Sequence, residues 1–86
     1  MLHQINIMIT GQQKDKVVEL LKSIKDDVTT EDRKVAEVKC KMHQSTITKY
    51  LVRLDVSNED LGIKLYRCLK NRIDNRNTQI YSLLNN

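Results

Sequence analysis

Apolar residues recur along this chain at two spacings, every second residue and every third or fourth, and the order in which these alternate constrains the fold more than any other feature. His3, Ile5, Ile7 and Ile9 alternate with Leu2, Gln4, Asn6 and Met8, which predicts a half-buried strand over 2–9. Thr10 and Gly11 break the alternation, and Thr10 with Gln13 fits a capping box, in which two side chains satisfy the free amides of a helix start. Val17, Leu20, Leu21, Ile24 and Val28 then follow at helical spacing, predicting a helix that fades after Lys25 into a loop over 26–32. From Val35 to Met42 the period returns to two, with Ala36, Val38, Cys40 and Met42 opposed by Glu37, Lys39, Lys41 and His43. After the polar Gln44–Thr46 it continues over Ile47–Val56, so a hairpin of two strands is expected.

Ser57 with Asp60 repeats the capping arrangement, and Leu61, Leu65, Cys68, Leu69, Arg72 and Ile73 predict a second helix to about Asp74. Asn75–Asn77 reads as a turn and Ile80–Leu84 as a last strand. With 86 residues the chain can bury one core and not two, so one domain over 1–86 is expected. The order β-α-β-β-α-β packs most economically as an α+β two-layer sandwich, an antiparallel sheet with both helices on one face, which is the ferredoxin-like arrangement. Parity then lists the open face of that sheet: Lys39 and Lys41 from strand two, Ile47, Lys49, Leu51 and Arg53 from strand three, with Leu2 and Met8 beside them. An apolar strip rimmed by Lys and Arg is typical of an interaction surface.

The apolar strand ending in Thr10-Gly11, the run Ser45–Tyr50 into strand three, and Leu65-Tyr66 followed by Leu69 resemble small ferredoxin-like regulatory domains, the ACT domains and the bacterial YbeD-like family among them. The resemblance implies a non-enzymatic regulatory or interaction module that often self-associates, and it assigns no site residue.

Charge supplies the alternative. Residues 1–32 hold four Lys against six acids and residues 33–86 hold eleven Lys or Arg against five, so the net +4 divides into −2 and +6. The basic half suits charge-driven binding of RNA or DNA, with Lys64, Arg67 and Lys70 as a secondary basic face on the second helix. Base stacking on the sheet has little to work with, since the aromatic residues are three Tyr and no Phe or Trp. A third reading, an inhibitor of a host protein from a phage or mobile element, rests on the small, proline-free, Lys-, Asn- and Ile-rich composition.

Catalysis and cofactors find no support in the pattern. There are two His, no Gly-rich phosphate loop and no paired core carboxylates. Cys40 and His43 have a C-x-x-H spacing, but on a strand they point to opposite faces, so no metal site is expected and both Cys read as reduced core residues. No apolar run approaches the roughly 18 residues of a membrane span, and no leader pattern opens the chain, which together predict a cytoplasmic protein. The leading expectation is a non-catalytic protein that binds a protein partner or itself through the open sheet face. On that account Leu51→Asp abolishes association without changing the circular dichroism.

Overall fold

The computed structural model of the chain describes residues 14–85, and over these the backbone is helical with no strand. The expected first strand and the Thr10–Gln13 capping box lie outside the described residues. Helix α1 covers 14–24 and tightens into a 3-10 turn at Lys25–Asp27. Helix α2 follows at Thr30–Cys40, α3 at Gln44–Leu51 and α4 at Glu59–Asn85. The ferredoxin-like sandwich is therefore corrected to a helical bundle.

In α1 the helical spacing is as expected, and Val17, Leu21 and Ile24 are buried. α2 is the first correction. The stretch expected to be loop and strand begins at a capping box one turn upstream. The Thr29 hydroxyl accepts from the Asp32 amide at 3.1 Å and the Asp32 carboxylate accepts from the Thr29 amide at 3.0 Å. With its first amides satisfied, the helix propagates, and Ala36 and Cys40, four residues apart, become its buried face. Val38, which strand parity put beside them, is 77% exposed. Even spacing had hidden a helical pair, because positions four apart share a face under either period.

The same ambiguity undoes the hairpin. In α3, Ile47, Tyr50 and Leu51 stand at i, i+3 and i+4, and all three are buried. α4 begins near the expected place, capped by Asn58, whose side-chain oxygen accepts from the Leu61 amide at 3.1 Å. Leu65, Leu69 and Ile73 form its buried stripe. It continues through the expected turn at Asn75–Asn77 and the expected last strand without a break. No residue there interrupts helical backbone, and proline is absent from the chain.

Two contacts orient α1 along α4 in the same direction: a Cβ at Gly62 would come within 2.9 Å of a Val17 methyl, and Arg76 donates to the Asp27 carbonyl at 2.9 Å. α2 runs antiparallel to α4, with Asp32 at Arg72 and Arg76 and the Cys40 thiol against the Lys64 carbonyl. Asp32 is fully buried, and its carboxylate takes Arg72 Nε at 2.7 Å and Arg76 Nη1 at 3.1 Å. One side chain thus caps α2 and fastens it to α4. α3 is tied down through Tyr50, whose buried hydroxyl accepts from the Asn58 amide at 2.9 Å and bonds the Ser57 hydroxyl at 3.1 Å. Among the described residues no helix is long and apolar enough to cross a membrane.

Candidate nucleic-acid interface

The 33 Å or so that α2 and α3 would span as one continuous helix is broken by three residues, Lys41, Met42 and His43. Lys41 stands in the left-handed region, φ 53 and ψ 45, a conformation that favours glycine and costs another residue about 1 kcal/mol. The turn offsets that cost with satisfied groups. The Met42 amide returns to the Glu37 carbonyl at 3.2 Å, a Schellman-type helix stop, and the buried Met42 side chain fixes the chain as it leaves α2. His43 then caps α3 with its ring, Nδ1 accepting from the Ser45 amide at 3.5 Å, while its carbonyl accepts from Thr46 and Ile47 at 3.0 Å each.

Two polar clamps set α3 against α2. Gln44 Nε2 donates to the Arg33 carbonyl and to Glu37 Oε2, each at 3.0 Å. Arg33 Nη2 donates to the Thr48 hydroxyl at 2.7 Å. Beneath them Ala36, Cys40, Met42, Ile47, Tyr50 and Leu51 are buried. Burial pushes the Cys40 thiol upward and neighbouring Cys68 adds to the shift, so Cys40 is a neutral core group; both cysteines are free. Cys40 ends α2 inside the core whereas His43 is exposed at the start of α3.

Because Ile47 faces inward, helical geometry turns Ser45, Lys49 and Val52 outward, flanked by Thr46 and Arg53. Ser45, Val52 and Arg53 are exposed, and Thr46 and Lys49 are half-buried. The half-buried Lys49 lies 3.9 Å from the more exposed Asp55, a long and weak pairing. Lys34, Lys39 and Lys41 are exposed along α2 and the turn. Of the residues assigned to the open sheet face, Lys39 lies on α2, Lys41 in the turn, Lys49 on α3 and Arg53 just beyond it. Ile47 and Leu51 are 0% and 2% exposed, so the apolar strip of that surface is core.

The secondary basic face divides. Lys64 is exposed where the end of α2 meets α4, Arg67 borders a groove with Lys16, Leu20 and Tyr66 on the α1 side, and Lys70 is held by Asp74 at 3.1 Å. Sequence reasoning missed Ser45 and Thr46 as presented side chains, and Lys34. For Lys34 the available signal was the Thr29-x-x-Asp32 capping box, which starts the helix that exposes it; for Ser45 and Thr46 it was the i, i+3, i+4 spacing of Ile47, Tyr50 and Leu51. Among the described residues no cluster of His, Cys, Asp or Glu could hold a metal ion.

Comparison with family models, with curated proteins and with solved structures found no match.

Proposed function

We propose that the chain binds double-stranded DNA through α2, the turn and α3 used as a helix-turn-helix, with α3 entering the major groove. The observation that carries this reading is the turn: two short helices joined by three residues, the first of them left-handed, and locked to each other by Gln44 and Arg33. That is the arrangement by which helix-turn-helix proteins hold a recognition helix clear of the body, its N-terminal residues reaching base edges while the first helix lies across the backbone. The outer face of α3 has the side chains for both tasks. Ser45 and Thr46 at its start are hydrogen-bonding groups that suit base edges, and Lys49 and Arg53 suit guanine edges or phosphates. Lys34, Lys39 and Lys41 supply phosphate contacts from α2 and the turn, in keeping with the +6 of residues 33–86. A left-handed lysine where glycine would be relaxed is also best understood if its charge is used, since local strain is commonly retained at functional positions. This role is one of binding rather than catalysis.

The test is selection from a randomised duplex pool followed by anisotropy titration of the enriched sequence. An enriched site bound more tightly than bulk DNA, with Thr46→Ala and Lys49→Ala weakening that preference, is the expected result. Failure to bind any duplex even at low salt contradicts the proposal.

A further inference from the structure

Where the end of α2 meets α4, two thiols come together. Cys40 closes α2 inside the core, 3% exposed, and its Sγ lies 3.7 Å from the Lys64 carbonyl of α4. In a helix that carbonyl accepts the amide four residues on, which is that of Cys68, and the Cα–Cβ bond of Cys68 tilts back toward the same turn. Both sulfurs therefore stand beside one carbonyl, and the two thiols act on each other directly. The face that α2 turns to α4 carries small side chains here, Ala36 and Cys40, which lets the two helices approach. Both cysteines are free, and they differ in access: Cys68 is half-buried and Cys40 is buried.

We propose that Cys40 and Cys68 form an oxidation site for peroxides, in which Cys68 reacts first and Cys40 resolves it into a disulfide that clamps the end of α2 to α4. In the first step the Cys68 thiol gives up its proton and its sulfur attacks one oxygen of hydrogen peroxide. The O–O bond breaks, Cys68 becomes a sulfenic acid and one water leaves. In the second step the Cys40 sulfur attacks the Cys68 sulfur, the S–O bond breaks, and the departing hydroxide takes the Cys40 proton as a second water. Two thiols lose two electrons and one peroxide gains them. Burial and the neighbouring Cys68 raise the Cys40 thiol above its ordinary value, with Lys64 and Lys39 opposing the rise, so Cys40 is the slower of the two toward an oxidant in solution. Its task is only to reach a sulfur already beside it. The intervening residues 41–67 hold the turn, all of α3 and the first turns of α4, and closing so long a loop removes much freedom from the unfolded chain. This inference goes beyond the DNA-binding reading and does not rest on it.

The test treats the dilute full chain, folded, with a small excess of hydrogen peroxide, then alkylates it and measures its mass. The expected product is a single chain lighter by two hydrogens, unalkylated, whose digest joins the Cys40 peptide to the Cys68 peptide. Its melting midpoint is expected to rise by about 10 °C or more, and dithiothreitol to reverse the rise. In Cys40→Ser the same treatment should leave Cys68 as a sulfenic acid that dimedone traps, and in Cys68→Ser the Cys40 thiol should be recovered unoxidised. Two free thiols after treatment overturn the proposal. So does a sulfinic acid without a link, a link found only between two chains, or a Cys40–Cys68 bond that lowers the melting midpoint, because the native packing then does not accommodate it.

Discussion

Asp32 concentrates more of this fold than any other residue. It is fully buried, closes the capping box on Thr29 and takes both Arg72 and Arg76, so replacing it removes the acceptor of two guanidinium groups, of which Arg76 keeps the Asp27 carbonyl, and frays α2 as well. Asp32→Ala is expected to cost about 3 kcal/mol in denaturant unfolding, the scale seen when one member of a buried ion pair is removed. Burial alone drives its carboxyl upward, but the Thr29 amide, Arg72, the Thr29 hydroxyl and Arg76 outweigh it and hold the acid below its ordinary value of 3.8. A depressed carboxyl contributes stability that is present above the unfolded value and lost as pH falls through the folded one. Wild-type stability should accordingly decline from about pH 4 downward, and Asp32→Asn should flatten that decline while being less stable at neutral pH. Lys41 gives a second residue-scale test. Lys41→Gly relieves the left-handed backbone and is expected to raise stability by about 1 kcal/mol, yet to weaken DNA binding and lower the salt slope by about one. Leu51→Asp, first conceived as a surface change that leaves circular dichroism intact, now places a carboxylate among core residues and is expected to unfold the chain.

At the scale of elements, α1 and the first half of α4 were legible in the sequence because their buried residues fall at spacings only a helix brings to one face. Val17, Leu21 and Ile24 do so, as do Leu65 and Leu69 with the half-buried Cys68. α2 and α3 were not, and the reason lies in particular residues. Ala36 and Cys40 satisfy periods of two and of 3.6 equally, and exposed Val38 between them tipped the count toward a strand. Ile47 and Leu51 are likewise four apart, and both were read as surface. What separates the alternatives is the cap: Thr29 with Asp32 commits the backbone to helix before any apolar residue is reached. Lys39, Lys41 and Arg53 are exposed and Lys49 half-buried in the helical fold, whereas Ile47 and Leu51 go into the core. Packing between elements is closest at Gly62. A methyl there would stand 2.9 Å from Val17 and 3.0 Å from Val56, both stiff side chains, so Gly62→Ala is expected to destabilise by about 1–2 kcal/mol despite its better helix propensity.

At the scale of the whole molecule, α4 is the spine on which everything is mounted. α1 lies along it, α2 is bound to it through Asp32 and Cys40, and its last core residue is Ile73. On the DNA-binding reading the working end of the molecule is the α2–turn–α3 unit, with Lys34, Lys39, Lys41, Lys49 and Arg53 on or beside it. That reading separates DNA affinity into a phosphate part, which salt screens, and a base-reading part, which it does not. The most direct test is an anisotropy titration of the selected duplex over a salt series, with wild type and Lys49→Ala side by side. The account predicts a log-log slope of several charges for both proteins and loss of sequence preference in Lys49→Ala, whereas equal affinity for selected and scrambled duplexes, or no binding at low salt, contradicts it.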